Sequence, residues 1–237
     1  MAGRRRQRLL ALLDEGLGSE GAERLCSVCA DVTDMSGAGI MLMSDELPHG
    51  TLCCTDDVSK LIEDVQFAVG EGPGIDACAR DRPVLEPDLA DPVRPRWSGF
   101  ADRAVEAGVC AVFAFPLDLG HVHLGALDLY RDRPGPLSDE HHADALVLAD
   151  LVTRAVLVMQ ADAPPGRLAA ELERGADLRL VVHQAAGMVA AQLDESVAQA
   201  LVRLRARAFG NELALDDLAA DVVARRLRFD GDEGRWP

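Results

Sequence analysis

Val109-Cys110-Ala111-Val112-Phe113-Ala114-Phe115-Pro116-Leu117 and Val122-His123-Leu124-Gly125-Ala126-Leu127-Asp128-Leu129-Tyr130 decide the fold. Each has the length and the Val, Phe, Leu and Tyr content of a half-buried strand, and only Asp118-Leu119-Gly120-His121 separates them. In the second stretch Val122, Leu124, Ala126, Asp128 and Tyr130 alternate with His123, Gly125, Leu127 and Leu129. One strand face is therefore apolar and the other mixed.

Working outward, Ser138 caps a helix that carries Leu146, Ala149, Val152 and Val156 toward Met159. Upstream, Trp97 to Ala107 reads as a helix closed by Gly108, and Pro83 to Glu86 as a short strand. Gly70-Glu71-Gly72-Pro73-Gly74 is a tight turn into a helix over Ile75 to Arg80. Val65 to Val69 alternates like a strand, and Asp56 to Val65 is a short helix opened by Asp56 or Asp57. Gly39 to Met43 and Thr51 to Thr55 form a hairpin about Pro48-His49-Gly50. Leu9 to Val32 is helical in two pieces, broken at Gly16 and Gly18. The whole predicts an α+β domain with an antiparallel sheet and flanking helices.

The strongest break is Ala163-Pro164-Pro165-Gly166, where two prolines forbid a helix interior. Beyond it strand signals vanish. Leu178, Val181, Val182, Ala185, Met188, Val189 and Gln192 form one broad stripe at helical spacing. Ser196 to Gln199 fits a capping box, and Val197, Leu201, Leu204 and Ala208 continue until Gly210-Asn211. Leu215, Leu218, Val222 and Arg226 make a third helix, so this half is an all-α three-helix bundle. The division is a 1–19 extension, a 20–160 α+β domain, a 161–170 linker, a 171–229 bundle and a polar 230–237 tail.

The 237 residues carry 24 basic and 40 acidic side chains, a net charge of -16. The acidity is uneven, because residues 178–229 hold 7 basic against 6 acidic groups. A polyanion would be repelled by the chain as a whole but not by that segment. No segment reads as a leader or a membrane span, which sets a cytoplasmic expectation. The six cysteines lie in apolar runs, and Cys26-x-x-Cys29 sits in a helical pattern without a second ligand pair. Reduced, buried thiols and no metal site are expected.

The first domain resembles the GAF family over about residues 20–160. The resemblance rests on Gly70-Glu71-Gly72-Pro73, Pro83-Val84-Leu85, the helix with Trp97 and Phe100, Phe115-Pro116-Leu117 and Gly125-Ala126-Leu127. The second resembles the ANTAR family over about residues 171–229. Here the motifs are Gln184-Ala185-Ala186-Gly187-Met188-Val189, Ala200-Leu201-Val202-Arg203-Leu204-Arg205-Ala206-Arg207-Ala208 and Leu215-Asp216-Asp217-Leu218-Ala219. Many ANTAR domains have Lys where Ala186 stands.

These resemblances imply a sensor controlling a bundle that grips paired RNA hairpin loops and prevents transcription termination. Arg203 and Arg207, four residues apart, share a side of the second helix away from its core stripe. Arg225 and Arg226 add charge at the end of the third helix, and Gln184 and Gly187 complete the implied RNA-binding set. Phe209 and Phe229 read as core or cap residues, leaving phosphate contact and loop shape to dominate. The alternative for the arginines is a solvated face paired with Asp216, Asp217 and Asp221. The sensor's small-molecule pocket is expected among Cys78, Trp97, Phe100, Phe113 and Phe115. GAF domains hold cyclic nucleotides, haem or bilins, but Lys60 and Asn211 are too far apart for a cyclic-nucleotide motif and no Cys-His dipeptide is present. His49, His121 and His123 sit near turns and are poor haem ligands, so no cofactor is named. A homodimer through the helices around Ala22 to Val32 and Leu146 to Met159 is expected, since the latter is apolar on more than one face. The competing readings are a methionine sulfoxide reductase of the GAF type using Cys53, Cys54, Cys78 and Cys110, and a DNA-binding bundle. The apolar setting of the thiols argues against an enzyme.

Overall fold

In the computed structural model, which describes residues 2–14, 21–44, 47–91, 96–120, 122–161 and 179–229, the two quoted segments pair antiparallel. The chain order is α1 (Ala2–Asp14), α2 (Gly21–Thr33), β1 (Gly37–Ser44), β2 (Leu47–Cys54), α3 (Asp57–Val69), α4 (Pro73–Arg80), β3 (Val84–Glu86), α5 (Ser98–Glu106), β4 (Ala111–Leu119), β5 (Val122–Arg131) and α6 (Asp139–Gln160). Then follow α7 (Leu180–Leu193), α8 (Val197–Gly210) and α9 (Leu215–Val223). These elements fall into two compact units, α1 to α6 with the sheet and α7 to α9.

The sheet has the order β2-β1-β5-β4-β3, and every pairing is antiparallel. Alternation sorts its side chains onto two faces. Ile40, Phe113, Phe115, Leu127 and Leu129 are buried on one, where α6 crosses and the Phe115 ring lies 5.8 Å from that of His142. Gly39, Asp128 and Ala114 share the other, since Gly39 pairs with Asp128 and Asp128 with Ala114. Gly125 has φ +150 and a Cβ there would strike the Met41 carbonyl, so only glycine lets β1 close on β5.

Asp56 is the cap of α3: its Oδ1 accepts from the Ser59 amide at 2.7 Å, and the Ser59 hydroxyl accepts from the Asp56 amide at 3.0 Å. That helix runs through Val65 to Val69, where alternation predicted a strand. Three alternating positions do not outweigh a capped helix that buries Ile62, Glu63, Val65 and Gln66 on one side. Pro48-His49-Gly50, expected as the hairpin turn, lies inside β2, with Pro48 opposite Met43. As the last strand of the sheet, β2 tolerates the missing proline donor.

Cys26 and Cys53 are joined in a disulfide between α2 and β2, which corrects the expectation of six reduced thiols. The cause is tertiary: residues 27 apart meet because β2 borders α2. The second apolar side of α6, assigned from sequence to a partner copy, meets α1 in part. There Leu9 and Leu13 are buried, Arg6 bonds Asp150, and Arg5 and Arg8 bracket the buried Asp144. Leu146 and Val158 stay exposed.

In the second unit the capping box forms as expected: Ser196 Oγ accepts from the Gln199 amide, and Gln199 Oε1 accepts from the Ser196 amide. Val182, Ala185, Val189, Leu201, Leu204, Leu215, Leu218 and Val222 make its core. Arg226 falls beyond the third helix, which ends at Val223. The linker 161–170 with Pro164 and Pro165, the tail from Asp230, Gly16, Gly18 and His121 lie outside the described residues, apart from Ala161 at the end of α6.

Candidate functional site

The mixed sheet face carries the unusual chemistry. Asp128 on β5 is buried, and so are Glu63 and Gln66 one turn apart on α3. Gln66 Nε2 donates to Asp128 Oδ2 at 2.6 Å, and Gln66 Oε1 accepts from the Gly74 amide at 2.8 Å, at the first turn of α4. Glycines make the room. A Cβ at Gly39 would collide with the Glu63 carboxyl, one at Gly74 with the Asp128 carboxyl, and one at Gly72 with Gln66. Glu63 and Asp128 are close enough for the charge of one to act on the other. Burial pushes both carboxyls above their ordinary range, Glu63 the further because the Asp128 charge adds to it, while the hydrogen bond from Gln66 holds Asp128 lower. Two carboxylates in such a place disfavour each other's charge, and the pair titrates as a unit. Both oxygens of Glu63 and Oδ1 of Asp128 have no hydrogen-bond partner among the described residues.

Beside this group, Ala77, Val84 and Ala114 form an apolar floor against which the half-buried Trp97 packs. Trp97 takes φ 50 at the start of α5, meets Phe100 edge to face with centroids 6.1 Å apart, and lies under the Arg96 guanidinium at 4.0 Å. Asp76 and Glu86 hold Arg96 at 3.0 and 3.4 Å. Cys78 is half-buried on α4, its thiol pushed up to about 12 by burial and then by the charges of Asp128 and Asp118. The expected pocket set is therefore divided. Cys78, Trp97 and Phe100 belong to the α4 and α5 side, whereas Phe113 and Phe115 face α6 across the sheet. Sequence alternation gives the parity of β4 but not which helices cover which face.

No family model matches the chain, and no curated protein matches it. Among solved structures, the GAF domain of a phosphoenolpyruvate-protein phosphotransferase from Coxiella burnetii superposes with a TM-score of 0.50 at 13% identity, over 67% of this chain and 96% of that one. The GAF domain of the Acinetobacter phosphoenolpyruvate-protein phosphotransferase gives 0.48 at 13% identity, over 68% and 96%. The phycocyanobilin-bound GAF domain of a cyanobacterial phytochrome gives 0.46 at 12%, over 68% and 97%. The α+β unit has the GAF fold.

The thiols of this GAF unit do not form one cluster. Cys53 is bonded to Cys26 toward α2, while Cys54, next along β2, feels Ser59, Lys60 and Glu63. Burial raises the Cys54 thiol, and it raises Cys29 to about 12. Thiols raised this way are poor nucleophiles. At the surface, Asp81, Asp118 and His123 each bring one ligand atom within 4.8 Å of the others, and His123 Nδ1 lies 2.7 Å from Asp118 Oδ1. Burial and then the Asp81 hydrogen bond raise the Asp118 carboxyl. Sequence reading had no signal for this group, whose members come from a helix end and both strands of a hairpin. Among the described residues, no helix is long and apolar enough to cross a membrane.

On the second unit, Arg203 is exposed and its Nε donates to both carboxylate oxygens of Glu195, at 3.0 and 2.8 Å. Arg207 is half-buried, with its guanidinium 4.9 Å from the ring centroid of the buried Phe229. The Phe229 amide donates to Gln192 Oε1 at 2.8 Å, so Arg207 covers the residue that closes the bundle. Arg226 pairs with Asp221 at 2.6 Å, and Arg225 is exposed at φ 59. Gln184 and Gly187 are exposed three residues apart on α7, and Ala186 between them is buried. Phe209, expected as core or cap, is 71% exposed.

Proposed function

We propose that the chain is a regulator in which the GAF unit controls an RNA-binding unit of the ANTAR kind, α7 to α9, that acts against transcription termination. The observation that carries this reading is α8. It bears Arg203, Arg205 and Arg207 and no acidic residue, while its other side is buried in the bundle through Ala200, Leu201, Leu204 and Ala208. A helix of that kind brings positive charge to phosphate on a rigid support inside a strongly acidic chain. Arg225, Arg226, Gln184 and Gly187 extend the set on the resemblance.

In the GAF unit, the polar group Glu63, Gln66 and Asp128 beside the Trp97 shelf is where a small ligand would register. A ligand that donates hydrogen bonds there would meet the buried carboxyl oxygens of Glu63 and Asp128 that have no partner of their own. The raised thiols support a sensor rather than an enzyme, and exposed Leu146 and Val158 support a homodimer through α6. The test is a gel shift of the whole protein with a two-hairpin RNA and with duplex DNA of equal length. Retention of the RNA alone is expected. Equal binding to the DNA, or to neither, refutes the RNA reading.

A further inference from the structure

We infer that Phe209 is a stacking platform for an unpaired base, a subsite that rests on the RNA-binding reading of α8. Val202, Ala206 and Phe209 stand four and three residues apart on one side of that helix, and all are exposed, Val202 at 61% and Phe209 at 71%. Leu213, at 51%, follows just past the helix end. At about 100° per residue this strip points away from the buried row of Leu201, Leu204 and Ala208. The same geometry puts Arg203 and Arg207 on one flank of the strip, while Arg205 on the other flank is mostly buried. The result is an aromatic face at the end of an apolar strip bordered on one side by cations.

Charge selects the occupant. A second copy docking on the same strip would bring the arginines of one protomer toward those of the other, because a two-fold contact is self-complementary. An unpaired nucleotide instead offers a flat apolar base to the ring and a phosphate to the flank. Stacking of a base on an aromatic side chain tolerates any base, and its loss on alanine substitution weakens binding by roughly 5- to 100-fold. Phe209 also sits beside a turn that leaves space, since a Cβ at Gly210 would meet nothing within 4 Å. The sequence has no other aromatic between Tyr130 and Phe229, which makes Phe209 the one ring available on α8.

The test measures affinity of the full chain for a two-hairpin RNA with unpaired loops, and for the same RNA with abasic loop positions. Phe209→Leu keeps the apolar bulk and removes the π face. On the intact RNA it should lose roughly tenfold in affinity with an unchanged salt slope, because no phosphate contact is lost. Phe209→Trp should keep the wild-type affinity. On the abasic RNA, wild type and Phe209→Leu should bind alike. Wild-type affinity of Phe209→Leu for the intact RNA overturns the platform while leaving the RNA reading in place. The same result together with a smaller mass by light scattering assigns the strip to a second copy. Wild type that fails to bind the intact RNA overturns the RNA reading, and the platform with it.

Discussion

Gln66 bridges Gly74 and Asp128, accepting from the backbone of one and donating to the carboxylate of the other. One amide thereby satisfies a donor at the start of α4 and an acceptor in the middle of the sheet, both at a buried place. Gln66→Met keeps the volume and leaves both groups unpaired. It should lower the stability of the GAF unit by about 2 to 4 kcal/mol, from two buried polar groups. Urea unfolding followed by circular dichroism measures this, and a loss below about 0.5 kcal/mol, the scale of an ordinary surface change, would show that the bridge is not structural.

The two raised carboxyls make stability depend on pH in a definite direction. The folded values of Glu63 and Asp128 lie above the ordinary carboxylate range, so between that range and the raised value the folded state holds more protons than the unfolded one. The slope of stability against pH is then negative. This contribution is complete below about pH 4, the unfolded carboxylate value, and is lost as pH rises through the folded value. Glu63→Gln keeps the shape of the side chain but cannot ionise. The variant should gain on wild type as pH rises from 5 to 8 in thermal melts, and parallel curves would contradict the raised Glu63 carboxyl.

Disulfide counting separates the two readings of Cys26. With Cys26 joined to Cys53 and four thiols free, alkylation in denaturant should add four labels without reductant and six with it. Six labels in both conditions would mean that the thiols remain reduced. Cys53→Ala should cost about 3 kcal/mol, the loop-closure scale for a loop of this size.

Gly187 occupies ordinary helical geometry with nothing within 4 Å of an added Cβ. Gly187→Ala should therefore stabilise the second unit by about 0.5 to 1 kcal/mol through helix propensity. A gain in stability coupled to weaker RNA binding would identify Gly187 as a place where the RNA backbone comes close. A gain with unchanged affinity would remove Gly187 from the binding set.

Arg203 and Arg207 differ in cost, although they share a helix side. Arg203→Ala removes an exposed pair with Glu195, worth at most about 1 kcal/mol. Arg207→Ala also uncovers Phe229, so it should cost about 0.5 to 1 kcal/mol more through the lost cation–π contact. Each substitution should reduce the slope of log affinity against log salt by about 0.7 if the residue contacts a phosphate. An unchanged slope in both would return them to the status of a solvated face.

The two halves were legible to different degrees for physical reasons. The helices of α7 to α9 declare themselves through local signals, namely the Ser196 cap, the Leu201 and Leu204 stripe and the Gly210 stop. The sheet pairing of β4 with β5 is local too, since a short hairpin loop fixes it. What sequence could not supply was which face each helix covers, and this is why Phe113 and Phe115 were placed with Trp97. Glu63 and Asp128 escaped notice because charged residues in an amphipathic helix and a mixed strand look solvent-facing until α3 is laid on β5. Phe209 failed in the opposite sense: a ring near a helix end reads as core, and only the bundle shows that the core is already closed by Phe229.

The strand order has a further consequence for how the GAF unit opens. β5 is held on both sides, by β1 and β4, whereas β3 is three residues long and held on one side only. Amide deuterium uptake should accordingly be slowest along Leu127 to Tyr130 and fast along Val84 to Glu86, which border the Trp97 shelf. The sheet thus keeps its ionisable centre in the part that opens last and places its aromatic margin in the part that opens first. A small molecule could enter by brief local release of that margin without disturbing the buried carboxyls beneath.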